Sequence, residues 1–171
     1  MNKLLFLAFS FSCVLFCGVV AAQDDGDKPL AGRKIVMILA SQNYRDDEYT
    51  KTRKVLEDAG AKIRIASSGL EDCKGMRGAK VTPDFRVKDL RQEDYTGFVY
   101  IGGPGCSEFY DDKSAHDIGK KAFSDKKARK VIAAIGLAPN ILANAGVFRS
   151  KKVTGADKEH LKKQGCLVSD N

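Results

Sequence analysis

A chain of 171 residues, 43% of them hydrophobic, supplies one ordinary domain with a real core. Its formal charge of +7 would favour acidic partners, yet Lys and Arg alternate with Asp and Glu, and no basic run is interleaved with aromatics. The surplus therefore reads as a solvated surface, and nucleic acid is not expected as a partner.

The chain begins like an export signal. Lys3 supplies a positive start, Leu4 to Val20 is almost wholly apolar, Val20-Ala21-Ala22 offers small residues for cleavage, and Gln23 to Asp27 is abruptly polar. Residues 1–22 are read as a secretory leader, so the protein is expected to be periplasmic or secreted, with no membrane contact after cleavage. A membrane anchor is the competing reading, because the run is just long enough to span a bilayer. Lipid attachment at Cys13 or Cys17 is disfavoured, since Ser12 and Phe16 fit a lipoprotein signal poorly. Cleavage leaves Cys73, Cys106 and Cys166, an odd set that allows one disulfide and one free thiol in an oxidising compartment, with the pairing open. There is no CxxC, and His116 and His160 stand far apart and read as surface histidines, so neither a metal site nor a cofactor is expected.

Residues 23–32 read as a polar tether, and 33–171 as a single domain. Lys34 to Ala40 is a continuous apolar run that suits a strand buried on both faces. Asp46 and Asp47 open a helix whose N–H groups their side chains can cap. Tyr49, Thr52, Val55, Leu56 and Ala59 recur at helical spacing, Gly60 ends the element, and Lys62 to Ala66 is a second strand. This strand–helix–strand unit predicts a parallel sheet with a right-handed crossover. Short extended pieces follow near 79–82 and 85–87. Strands are predicted at Phe98–Ile101, Lys130–Ile135, Lys151–Thr154 and Cys166–Val168, with helices at Ser114–Phe123, from Pro139 to Gly146, and at Asp157–Gln164. The alternation predicts an α/β fold, a three-layer sandwich around a flavodoxin-like, mostly parallel sheet.

Open α/β sheets place their sites beyond the C-terminal ends of the strands. Three stretches land there: Ser41–Glu48, Gly102–Glu108 and Gly136–Asn140. Glu48 reads as a first-turn helix acid. Gly102 to Gly105 reads either as an anion cradle of backbone amides or as a tight turn. Gly136 reads as a turn glycine after a strand. Cys106 reads as a structural or disulfide cysteine, with a displaced nucleophile or redox thiol as the alternative.

Three segments, KIVMILA…NYRDDEYTKTRKVLEDAGAKIRIAS, DYTGFVYIGGPGCSEFYDD and KVIAAIGLAPNILANAGVFRSKKVT, together resemble the ThiJ/PfpI family in order and spacing, from about Lys34 to Val168. The resemblance implies the class I glutamine-amidotransferase-like fold. It implies a nucleophilic cysteine on a sharp strand-to-helix turn in the pattern A-I-C-x-x-P, a glutamate that bonds the thiol, and an oxyanion site of backbone N–H groups. The glutamate position matches Glu48 and the Gly-Gly turn matches Gly102 and Gly103. The elbow reads Ala134-Ile135-Gly136-Leu137-Ala138-Pro139, with Gly136 where the cysteine should stand and Leu137 where some relatives carry a histidine. Nucleophilic catalysis needs a side-chain lone pair at that turn, and glycine has none. The expectation is therefore a non-catalytic member with a small-molecule or anion pocket. A hydrolase, glyoxalase or deglycase that uses Cys106 or a water held by Glu48 is the first alternative, and an interaction module the second. The resemblance also implies a homodimer, and a C-terminus shortened by a strand, a Gly-rich turn and a helix, leaving a sheet edge or face for a partner to cover.

Overall fold

The computed structural model describes residues 28–127 and 129–169. The expected leader lies outside them. In chain order the elements are β1 (Lys34–Ile38), β2 (Gln42–Tyr44), α1 (Asp46–Asp58), β3 (Lys62–Ser67), β4 (Cys73–Gly75), β5 (Lys80–Val81) and β6 (Phe85–Arg86). Then come β7 (Gly97–Tyr100), α2 (Lys113–Ser124), β8 (Val131–Ala134), α3 (Pro139–Asn144), β9 (Lys152–Val153), α4 (Lys158–Lys163) and β10 (Leu167–Val168).

The main sheet is parallel throughout, in the order β6-β3-β1-β7-β8. The apolar run of β1 earns the central place: Val36, Met37 and Ile38 are sealed from solvent, as a strand covered on both faces requires. β8 is different. The sequence suggested another strand like the rest, but β8 is an edge, and its residues alternate between exposed and half-buried. α2 buries Ala115, Ile118, Gly119 and Ala122, the apolar stripe of a 3.6-residue period, and Asp112 caps its first turn by accepting the Ala115 N–H at 2.7 Å.

Several local expectations change. Neither Asp46 nor Asp47 caps α1: the cap position is Arg45, and no side chain bonds there. The Asp46 carboxylate instead accepts N–H bonds from Arg77 (2.9 Å) and Ala79 (3.1 Å), which ties a distant turn to the helix start. Burial by itself would push this carboxyl up, but those two bonds, together with its own N–H and the charge of Arg77, outweigh it and hold the group below its ordinary value. Val55, placed on the buried stripe by periodicity, is exposed, and α1 buries only Asp46 and Tyr49 fully. β2 and β4, which the sequence did not reveal, join β5 in a second small sheet. The tether's end belongs to the folded unit, since the Leu30 N–H bonds the Ala59 carbonyl at 2.9 Å and its side chain packs on the core. Cys73, Cys106 and Cys166 are all buried free thiols.

Candidate functional site

The three loops after β1, β7 and β8 meet at the C-terminal edge of the sheet. Two contacts lock the first to the second. The Ser41 N–H and hydroxyl donate to the two carboxylate oxygens of Glu108, at 2.9 and 2.7 Å, and the Arg45 N–H donates to the Gly102 carbonyl at 2.9 Å. Gly103, at φ +107°, explains why the turn is glycine: a Cβ there would lie 2.5 Å from the Asn43 carbonyl oxygen. The close approach of this turn to β2 is therefore built into the chain.

Glu48 leaves the first turn of α1 and crosses to the second loop, where its carboxylate accepts the Gly102 N–H at 3.0 Å. Its side chain is only 14% exposed, not the open helix acid that position suggests. Arg45 flanks it, Nε 3.6 Å from Oε1, and is half exposed. Burial raises the Glu48 carboxyl above its ordinary value, with the Gly102 N–H and Arg45 opposing and Asp47 adding to the rise.

Gly136 occupies the corner between β8 and α3 at φ +64°. A Cβ placed there would lie 2.5 Å from Glu48 Oε1 and 3.0 Å from Oε2. The carboxylate thus rests against the bare face of the glycine. The Gly136 carbonyl is held by the Ala156 N–H at 2.9 Å. Around this contact lies a hollow of about 230 Å³ lined by Arg45, Glu48, Gly103, Pro104, Gly136, Leu137 and Ala156. Of the residues singled out from the sequence, Glu48, Gly102, Gly103, Gly136 and Leu137 are brought together here.

Cys106 is not among the lining residues. It is fully buried, 3.8 Å from the Tyr110 hydroxyl. Burial pushes its thiol up to about 11, with the charges of Glu48 and Glu108 adding to the rise and the Tyr110 hydroxyl opposing it. A thiol of that kind is almost wholly protonated at neutral pH and is a poor nucleophile.

Behind the hollow stands a polar cluster that sequence reasoning missed. Tyr110 is its hub. Asn140 donates to the Tyr110 hydroxyl (3.2 Å) and to Asp157 (3.4 Å), and Asn144 donates to the Tyr110 carbonyl (3.0 Å). His116 Nε2 lies 2.9 Å from the same carbonyl, and His160 Nε2 lies 2.6 Å from Asn144 Oδ1 while its ring stacks on Tyr110. Neither histidine is the plain surface residue its charged helix implied; both are half-buried. The signal available in the sequence was Asn140 and Asn144, one helical turn apart on an otherwise apolar helix.

The DJ-1/PfpI family matches residues 33–171. A protein of Methanocaldococcus jannaschii is 33% identical over 141 residues, 80% of this chain and 68% of its own length. A glutathione-independent glyoxalase of Caenorhabditis elegans is 27% identical over 71% of this chain and 63% of its own. The solved ThiJ/PfpI domain protein from Brachyspira murdochii superimposes with a TM-score of 0.76 at 26% identity, over 81% of this chain and 79% of that one.

Proposed function

The chain belongs to the DJ-1/PfpI family, and from that premise we propose that it is an exported, non-catalytic member whose hollow beside Glu48 holds a small ligand. One observation carries the reading. Gly136 forms the corner after β8, where the sequence resemblance puts the family's nucleophile, and the Glu48 carboxylate lies against it. Covalent catalysis at that point has no lone pair to use. Cys106, the substitute thiol on the loop after β7, is buried and does not line the hollow, and burial pushes its thiol up to about 11.

The hollow's chemistry suits a compact polar molecule that carries an anion. Its volume of about 230 Å³ is below the range of roughly 300–1,000 Å³ that drug-sized ligands occupy, so the occupant is a metabolite of a few heavy atoms. The half-exposed Arg45 guanidinium offers the charge for a carboxylate or phosphate group. Glu48, with its carboxyl raised by burial, sits where it can donate to a neutral oxygen when protonated.

The test has two arms. The purified protein is expected to consume no methylglyoxal and to hydrolyse no peptide. Glyoxylate or lactate is expected to shift the amide resonances of Gly103 and Gly136, and Arg45→Ala to remove the shifts. Turnover abolished by Cys106→Ser or Glu48→Gln would instead establish the second reading, an enzyme of hydrolase, glyoxalase or deglycase type. That reading is favoured by the similar protein that is a glyoxalase and by the raised carboxyl of Glu48. Export is checked separately: the mature protein recovered outside the cytoplasm should start at Gln23, and a chain that keeps Met1 argues against it.

A further inference from the structure

A parallel sheet is ordinarily covered by helices on both faces. Here α2 closes one face, where the Tyr100 hydroxyl bonds the Ala115 carbonyl at 2.8 Å. The opposite face is covered by α1 only in part. The strand register sets two apolar rows across it, Ile35–Gly97–Val131 and Met37–Val99–Ala133. Along both rows burial fades toward the edge: Met37 is sealed, Val99 is 9% exposed, Ala133 is open, and Val131 is 64% exposed. Ile135 continues the same side of the edge strand and is also exposed.

The result is a groove of about 530 Å³, with Leu30 and Leu56 as its far wall and Arg33, Lys127 and Arg129 on its rim. Gly97 lies in its floor. A Cβ there would meet nothing closer than the Val131 carbonyl oxygen at 3.5 Å, so the floor has room for an intruding side chain. Two adjacent strands span roughly 10 Å, about the diameter of one α-helix. Four residues of strand run roughly 13 Å, the length of about nine helical residues. The bare strip over β7 and β8 therefore has the size of a short helix.

Charge decides whose helix it is. Arg33, Lys127 and Arg129 make no ion pair among the described residues. A second copy related by a twofold axis through the groove would set these cations against their own counterparts. A helix with carboxylates along one flank would neutralise them. We propose that the groove seats an amphipathic helix of another protein, apolar on the side facing β7 and β8 and acidic along its flank. The groove opens at the N-terminal ends of the strands, away from the hollow beside Glu48, so either proposal can fail without the other.

The probe is a 14-residue amidated peptide with Leu at helical i, i+3, i+4 and i+7 spacing and Glu on its flanks, titrated into the isotope-labelled full chain. Saturable shifts are expected at Val99, Val131 and Ala133. The same apolar face flanked by Lys should bind about tenfold more weakly or worse. Gly97→Leu fills the floor without backbone strain; it should abolish binding while leaving the unfolding midpoint unchanged or raised. Equal binding of both peptides, or of neither, overturns the proposal. So does exclusion of the peptide by laurate seated in the groove, or a dimer in light scattering that the peptide fails to dissociate.

Discussion

Replacing Gly136 with alanine should expose the contact on which the candidate site is built. The new Cβ would lie 2.5 Å from Glu48 Oε1, so the carboxylate must move, and the residue must keep φ near +64°. The left-handed conformation costs a non-glycine residue about 1–2 kcal/mol. Moving Glu48 breaks its bond to the Gly102 N–H, a charged interaction worth about 1.5–3 kcal/mol, discounted here because the freed carboxylate can reach water. The expected loss is roughly 2.5–4 kcal/mol, or about 1–2 M in urea midpoint for a slope near 2 kcal/mol/M. In a Glu48→Ala background the three atoms nearest the new Cβ are gone, and the same change should cost mainly the strain, about 1–2 kcal/mol. Urea unfolding of the four proteins closes the cycle. Equal losses in the two backgrounds would refute the reasoning, because they would place the Glu48 carboxylate away from the Gly136 corner.

Four further outcomes follow from the same geometry. Asp46→Ala removes the acceptor of two N–H bonds and should cost roughly 2–4 kcal/mol, with faster hydrogen exchange at the Arg77 and Ala79 amides; exchange left unchanged there would count against the tie. The folded state raises the Glu48 carboxyl, so its contribution to stability is fully present below the ordinary value of 4.5 and is lost as pH rises through the folded one. Stability measured against Glu48→Gln should therefore decline above pH 4.5, and a difference that grows with pH contradicts it. The Asp46 carboxyl, held low, behaves oppositely: its contribution is present above 3.8 and disappears as acid titrates it. Iodoacetamide at pH 8 should leave Cys106 unmodified in the native protein and label it only after unfolding; rapid native labelling seen by mass spectrometry would show an open, low-lying thiol.

Much of the architecture was legible because it is written in short-range pattern. Apolar runs such as Lys34–Ala40 announce strands that must shed water on both faces, and Gly60 announces the end of the helix between the first two of them. The corner at Gly136 was legible too, since a strand, a glycine and a proline three residues on leave little choice of backbone. Periodicity failed where it met incomplete cover. Val55 and Val131 carry the right residue type for burial, but nothing among the described residues lies over them.

Length and charge are sums over the residues, and the parallel α/β class and the place of the Gly136 corner were determined by the sequence alone because they are written in patterns along neighbouring stretches of chain. The join between Glu48 and Gly102, 54 residues apart, was decided by the sheet order that brings the ends of β1 and β7 side by side. The same is true of the Tyr110 cluster, of Asp46 reaching the turn at Arg77–Ala79, and of the open groove over β8. Partners so distant are chosen by strand register and crossover, which set distances that no local window of residues contains.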